Sequence, residues 1–417
     1  MINVLSLFSG IGAFESALRR GGYDFRVINY CEIDRYAAKA YSQIHGISED
    51  YNLNDVCTVN PFLMDNVNLV TYGFPCQDIS IAGKQRGFKD TEGNRTRSGL
   101  FFEALRIIEF LQPEYAIAEN VKALTGKKFT AEFETVLTSL EKAGYNNYWK
   151  VLNAKDFGVP QNRERVFIVS IRKDIDKGTF TFPEKQPLTL RVKDLLEPVV
   201  EEKYYLKSQK ADDLIRQILA KTDIGGGIAV VDCTINDPKI KDVSNCIKAR
   251  YDAGIENQRS VGTAVIEPKI KRLGNLYDEN AGGARAGNTY DPDGLAPALQ
   301  TAQGGNRQPL IVIGSTQKHA SVNTDGTAPC LTAMMGLGGG NVPMVTEPQT
   351  TDQKDNYLFD SYRIRKLTPL ECFRLMGFSD EEFYRIKGVS NTQLYKMAGN
   401  SIVVNVLDGI FNNLLRC

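Results

Sequence analysis

Asn68-Leu-Val-Thr-Tyr72-Gly73-Phe74-Pro75-Cys76-Gln77 decides how the chain is read. An apolar run of strand length ends at Tyr72, and a tight Gly-x-Pro turn follows it with a thiol on top. In open α/β sheets the carboxyl ends of strands are where substrates sit. A lone cysteine there would more often be structural. Three further elements stand in order around it: Phe8-Ser-Gly-Ile-Gly12, Glu119-Asn-Val121 and Gln161-Asn-Arg163-Glu-Arg165.

The surrounding sequence alternates in kind. Val4–Phe8 is a short apolar run; Ala13–Arg20 has a helical pattern stopped by Gly21-Gly22. Arg26–Ile33 is a strand ending in an acid, and Arg35–Ile44 is helical again. After Leu69–Tyr72 comes the polar, glycine-bearing loop Ala82–Gly99, then a helix over Leu100–Leu111. Tyr115–Ala118 delivers Glu119, Phe129–Ala143 is helical, and Val166–Ile171 is a further strand. Such alternation predicts an α/β fold, a doubly wound and mostly parallel sheet.

After Pro183 the composition shifts. A helix over Ala211–Lys221 leads into a region rich in Gly, Asn and Thr, from Gly225 to Pro348. Tyr290-Asp-Pro-Asp-Gly-Leu-Ala-Pro-Ala-Leu299, Gly304-Gly-Asn306 and Pro309-Leu-Ile-Val312 recur as Val322-Asn-Thr-Asp-Gly-Thr-Ala-Pro-Cys-Leu331, Gly338-Gly-Gly-Asn341 and Pro343-Met-Val345. A weaker copy runs from Ser244-Asn-Cys-Ile247 to Thr263-Ala-Val265. The ordered recurrence favours duplicated β/loop modules over a low-complexity linker. The chain is therefore expected to hold one domain over 1–185 plus 388–417, and a smaller β/loop-rich one over 186–387. The repeats of the second fall at about 240–267, 274–313 and 314–346.

The 417 residues carry 50 basic and 50 acidic side chains, which argues against a nonspecific, charge-driven binder of nucleic acid and leaves room for local positive charge. Lys84, Arg86, Lys89, Arg95 and Arg97 stand against Asp90 and Glu92 in one such segment. Eight scattered cysteines never form C-x-x-C, so no metal site is expected, and a disulfide framework is not expected either. His45 and His319 both lie away from the motifs in sequence. No apolar stretch reaches membrane-spanning length, and Met1–Phe8 runs straight into a strand pattern without a basic region. The expected location is the cytoplasm.

Gly10 and Gly12 would let backbone approach a ligand at a helix start. Glu32, ending the second strand, suits bidentate hydrogen bonding to ribose hydroxyls, and Asp55 could accept from an adenine amino group; the less favoured alternative for both is a helix cap or a solvated loop acid. Arg163 and Arg165 are expected not to share one face, and a surface ion pair with Glu164 is the alternative role for them.

Together, Phe8-Ser-Gly-Ile-Gly12, Gly73-Phe-Pro-Cys-Gln77, Glu119-Asn-Val121, Gln161-Asn-Arg-Glu-Arg165 and Gly399-Asn-Ser401 resemble the DNA cytosine-5 methyltransferases, over the whole chain. The resemblance implies S-adenosylmethionine as cofactor, double-stranded DNA as substrate, and methylation of carbon 5 of a flipped-out cytosine. It makes Cys76 the nucleophile at carbon 6 and puts Glu119 on the base at N3 and the exocyclic amine. Arg165 would hold the cytosine oxygen or a nearby phosphate, and Arg163 would order the thiol loop. The cofactor positions it implies are Phe8, Gly10, Gly12, Glu32, Ile33, Asp55, Pro75, Asn400 and Ser401, with Ile33 covering the adenine. DNA contacts are implied for Gln77, Ser80, Lys84, Arg86, Arg95 and Arg97 in the loop that closes over DNA. Gly304, Asn306, Arg307, Gly338, Gly339 and Asn341 in the repeats would read the sequence. Where the family commonly has Thr-Leu, the second and third repeats read Ala298-Leu299 and Cys330-Leu331. A monomer is expected, with any cognate restriction endonuclease acting separately. A tRNA-methylating enzyme of the same chemistry and a catalytically inactive DNA-binding regulator remain the alternatives.

Overall fold

The computed structural model describes residues 1–64, 66–75, 97–206, 209–221, 224, 228–232, 238–249, 251, 262–268, 272–275, 288–290, 310–311 and 362–415. They form two compact units. The first comprises Met1–Glu197, Lys241–Thr263 and Leu367–Cys417; the second comprises Pro198–Ile240 and Ala264–Lys366. Residues 186–197, 241–263 and 367–387, expected in the second domain, thus belong to the first unit.

The first unit is built on β1 (Ile2–Leu7), β2 (Phe25–Cys31), β3 (Leu69–Tyr72), β4 (Tyr115–Val121), β5 (Tyr145–Asn153), β6 (Gln161–Asn162) and β7 (Glu164–Arg172). Its main sheet has the order β2-β1-β3-β4-β7-β5. The β2, β1, β3 and β4 pairings are parallel, and β7 runs antiparallel to both β4 and β5. Chain direction reverses sides between β1 and β3, so a crevice opens where their carboxyl ends diverge.

Period-2 alternation divides the sheet residues between two faces. Leu5 and Leu7, Val70 and Tyr72, Ala116 and Ala118, and Val166 and Ile168 join one buried cluster with residues of α3 (Phe101–Leu111) and α4 (Thr130–Lys142). α1 (Ala13–Arg20) packs on α9 (Val404–Leu415), where the rings of Phe14 and Phe411 meet edge to face at 6.4 Å. Between them in the chain, α2 (Arg35–His45) starts from an Asp34 cap that accepts from the Tyr36 and Ala37 N–H groups. The final helix, α9, covers the sheet from the α1 side. β5 was not expected from the sequence. It is the edge strand, with polar and half-exposed residues through Asn146–Lys150.

In the second unit, β8 (Ala229–Asp232), β9 (Lys239–Ile240), β11 (Thr263–Pro268) and β15 (Tyr362–Lys366) form a sheet of order β15-β11-β8-β9, packed by α5 (Gln209–Leu219). Inside it the fully buried Arg365 is neutralised by Glu267 at 2.7 Å, and Glu267 also accepts from the Tyr205 hydroxyl. β12 (Arg272–Asn275), β13 (Asn288–Tyr290) and β14 (Leu310–Ile311) make a small second sheet. β10 (Ser244–Asn245) belongs to the first unit, where it pairs in parallel with β6. After Leu367, the chain forms α6 (Pro369–Arg374), α7 (Asp380–Arg385) and α8 (Asn391–Asn400) before α9. Among the described residues, no helix is long and apolar enough to cross a membrane, and no group of three or more His, Cys, Asp or Glu is arranged to hold a metal.

Candidate active site

The carboxyl end of β1 turns through three left-handed residues, Phe8 (φ 54°), Gly10 (φ 56°) and Gly12 (φ 80°). A non-glycine residue in this region is uncommon and costs of the order of 1 kcal/mol, a feature that gathers at ligand sites. The two glycines serve differently. A methyl group on Gly10 would meet nothing within 4 Å, whereas one on Gly12 would fall 2.0 Å from His45 Nε2 and 2.9 Å from Tyr41. Gly10 thus faces open space, and Gly12 lets α1 close on α2. His45, remote from every motif in sequence, lies beneath this loop: its Nε2 is 3.0 Å from the Ile11 carbonyl, and burial pushes its pKa down to about 4.

Glu32 follows β2 and reaches back to the same loop. Its two oxygens accept from the Gly10 and Asp34 N–H groups at 2.8 Å each. Burial raises its pKa while those two donors oppose the rise. Each oxygen keeps a further lone pair. Asn52 clamps the Glu32 backbone on both sides, with its Oδ1 accepting from the N–H and its Nδ2 donating to the carbonyl at 3.0 Å. Beside it Ile33 is 74% exposed, which leaves its aliphatic face open. Asp55 caps the short helical turn Val56–Thr58 by accepting from Cys57 N–H, the capping role left open by the sequence.

At the next two strand ends lie Gly73–Pro75 and Glu119. Asn120, buried, donates to the Phe74 carbonyl at 3.0 Å and so fixes the turn. The Glu119 carboxylate lies 3.8 Å from where a Gly73 Cβ would be. Arg165 is opposite Val121 in the antiparallel β4–β7 ladder, and its Nε reaches diagonally to Glu119 Oε1 at 2.9 Å. Such diagonal neighbours lie within reach of long side chains. Burial raises the Glu119 pKa, and the charges of Arg165 and Arg163 pull against that rise.

Arg163 occupies the break between β6 and β7 and is only 3% exposed. Its Nη1 donates to Cys246 Sγ (3.1 Å) and the Ile247 carbonyl (3.2 Å); its Nη2 donates to the carbonyls of Gly399 (3.1 Å) and Ser401 (2.6 Å). The expectation that Arg163 and Arg165 would not share a face needs correction. Residues two apart in extended chain point the same way, and both guanidinium groups reach Cys246, Arg165 Nη2 at 3.9 Å. Glu164, on the other side, pairs with Lys122 at 2.9 Å. Ser401 is buried and engages Arg163 through its backbone, and Asn400 is exposed.

Three site residues were not among those expected from the sequence. Asn120 and Gln161 sit inside motifs that were quoted, but their roles are backbone contacts: Gln161 accepts from Ile247 N–H at 3.1 Å and donates to the Leu375 carbonyl at 2.6 Å. Cys246 appeared only as part of the weakest repeat copy. Cys76, Gln77, Ser80, Lys84, Arg86, Arg95, Gly304, Asn306, Arg307, Gly338, Gly339 and Asn341 lie outside the described residues. Arg97 opens the short turn Arg97–Leu100 ahead of α3.

The model of one family, the C-5 cytosine-specific DNA methylases, matches residues 2–416. The chain belongs to this family. Orphan methyltransferases of Bacillus phages are similar along its whole length: M.Rho11sI of phage rho11s is 31% identical and M.SPRI of phage SPR 30%, each over 100% of this chain and 98% of the relative. The type II methyltransferase M2.ScrFI of Lactococcus lactis subsp. cremoris is 49% identical over 39% of this chain and 44% of its own. Two solved structures share the fold at 18% identity. They are the Entamoeba histolytica methyltransferase EhMeth (TM-score 0.60, 100% of this chain and 98% of that one) and the S. pombe Dnmt2 methyltransferase (TM-score 0.57, with the same coverage). The cytosine-5 DNA methylase is accordingly an enzyme on a doubly wound α/β sheet, with the carboxyl ends of β1 to β4 gathered in its first unit.

Proposed function

We propose that this methylase transfers a methyl group from S-adenosylmethionine to carbon 5 of a cytosine flipped out of duplex DNA, through a covalent bond from Cys76 to carbon 6. The observation that carries the reading is the Glu119–Arg165 pair, which sits against the Gly73–Pro75 turn one residue before Cys76.

The crevice fits the cofactor. Exposed Ile33 offers an apolar face for the adenine, Glu32 has lone pairs left for ribose hydroxyls, and the open side of Gly10 admits close approach. Phe8, Asp55, Pro75, Asn400 and Ser401 complete the proposed cradle, with Gly12 acting through the packing of α1. When bound, the cofactor supplies an electrophilic sulfonium methyl group.

Carbon 5 of cytosine is a poor nucleophile. Addition of the Cys76 thiolate to carbon 6 pushes electrons toward N3 and makes carbon 5 enamine-like. Glu119 supplies the proton that N3 takes up, and Arg165 keeps that carboxyl in place. After carbon 5 gains the methyl, its proton passes to solvent water, the Cys76–carbon 6 bond breaks to release the thiolate, and N3 returns its proton to Glu119 as the ring is restored. A free thiol is only a few per cent ionised at neutral pH, so the loop bearing Cys76 must favour the thiolate. Arg163, through Gly399 and Ser401, would hold the floor on which that loop closes.

In this reading the first unit is catalytic, and the second carries target recognition with the second and third repeats. The enzyme would act as a cytoplasmic monomer on double-stranded DNA. Any cognate restriction endonuclease would act separately. Transfer of radiolabelled methyl groups to duplex DNA and to tRNA is the deciding assay. Label in DNA alone is expected. Label in tRNA alone would make this a tRNA enzyme, and label in neither would make it a DNA-binding regulator.

A further inference from the structure

The first repeat copy has a place of its own in the fold. Ser244-Asn245 extends β6, the Ile247 N–H bonds Gln161, and the Lys248–Ala249 backbone lies so close to Gly399 that a Cβ there would fall 2.2 Å from Ala249 N. This docking sets the Cys246 sulfur between two guanidinium groups, 3.1 Å from Arg163 Nη1 and 3.9 Å from Arg165 Nη2. Arg165 also bonds Glu119, so four groups form a row: Arg163, Cys246, Arg165, Glu119.

Two arginines side by side in a half-dry site repel, and both draw the proton from a neighbouring carboxyl. We propose that Cys246 is a positioning residue for methyl transfer: as the anion between Arg163 and Arg165, its sulfur offsets their charge and lets Glu119 keep the proton it gives to the base. The inference rests on the reading of Glu119 as the proton donor.

Among the described residues, the charged groups facing the sulfur are Arg163, from the β6–β7 break, and Arg165, from β7; Glu119 on β4 is joined to it through Arg165. The loop between α8 and α9 presents only the Gly399 and Ser401 carbonyls to Arg163, and Lys248 on the same segment as Cys246 is exposed. Burial pushes the Cys246 thiol up, but Arg163 and Arg165 outweigh it and hold it below the ordinary thiol range.

The test has two parts on the full chain. In the wild type, alkylation of Cys246 by iodoacetamide, followed peptide by peptide with mass spectrometry, is expected to reach half its maximal rate below the ordinary thiol value of about 8.5. A midpoint at or above that value overturns the proposal. In Cys246→Ser the arginine charge is no longer offset, so Glu119 gives up its proton sooner. The high-pH limb of kcat should then move down by about one pH unit, the scale set by one nearby charge. Cys246→Asp should bring it back. A lower kcat with the limb unmoved would mean a purely structural role and also overturns the proposal. If Glu119→Gln keeps the wild-type limb, the assignment of Glu119 fails and takes the role of Cys246 with it. A low alkylation midpoint in that same case would show that the sulfur is an anion all the same, which separates the two failures.

Discussion

Arg163 donates to the Ser401 carbonyl at 2.6 Å across a sequence separation of 238 residues, joining the strand that carries Arg165 to the last turn before α9. With its bonds to Gly399, Ile247 and Cys246, this buried side chain holds three chain segments together. Arg163→Ala would leave those carbonyls without a donor, at roughly 1–3 kcal/mol for each group left unpaired in the interior. We expect the variant to lose about 3 kcal/mol of stability in denaturant titration, and Arg163→Lys, which lacks the planar fork, to recover only part of it. Unchanged unfolding midpoints would show that the clamp is dispensable.

His45 should make the protein acid-sensitive. Its folded pKa is about 4 against an ordinary value near 6.5, so the unfolded chain binds a proton in that interval and the folded one does not. Stability is complete above the upper value and falls as pH drops toward the lower one, by about 3 kcal/mol from this residue. In His45→Gln the unfolding free energy should change less between those two pH values. An identical pH dependence in both proteins would contradict the assignment.

Glu119 and Glu32 should fail in different ways. Glu119→Gln keeps part of the hydrogen bonding to the base but has no proton to give, so kcat should fall by about 10²–10³ with little change in cofactor binding. Glu32→Ala should raise the apparent requirement for S-adenosylmethionine by about tenfold, equivalent to one good hydrogen-bonded contact. Steady-state kinetics in both substrates separates the two. The same defect in both variants would show that base site and cofactor site are not distinct.

Specificity should follow the repeats. Exchanging Met334–Asn341 should remove or change the methylated sequence with cofactor binding intact, since glycine-rich loops let backbone approach base edges in the major groove. If Gly304–Arg307 serves a second target, exchanging it alone should erase a subset of sites. Genome-wide mapping of methylated cytosines reads both results. An unchanged site pattern in both variants would make the repeats a scaffold.

What could be read from the sequence follows a physical line. The strands β1, β2, β3, β4 and β7 announce themselves because each is apolar over most of its length, and all but β2 are largely buried. β5 does not, because an edge strand with Tyr-Asn-Asn-Tyr-Trp-Lys across its middle need satisfy only one neighbour and exposes much of its surface. In the site, Glu32, Glu119 and Arg165 were legible because their chemistry lies in their side chains at strand ends. Cys246 and His45 were not, because their roles come from contacts with residues far away in the chain: Arg163 lies 83 positions from Cys246, and Ile11 lies 34 from His45. Ser401 acts through a carbonyl that any residue would supply.

The central claim is that Cys76 forms a bond to carbon 6 of cytosine during methyl transfer. Duplex DNA carrying 5-fluorocytosine tests it most directly, because fluorine cannot leave as the proton does and the adduct is trapped. With S-adenosylmethionine present, we expect the wild type to become covalently joined to the duplex, with the modified peptide containing Cys76 on mass spectrometry, and Cys76→Ala to form no such complex while still binding DNA. A stable adduct at any other residue, or undiminished methyl transfer by Cys76→Ala, would contradict the account.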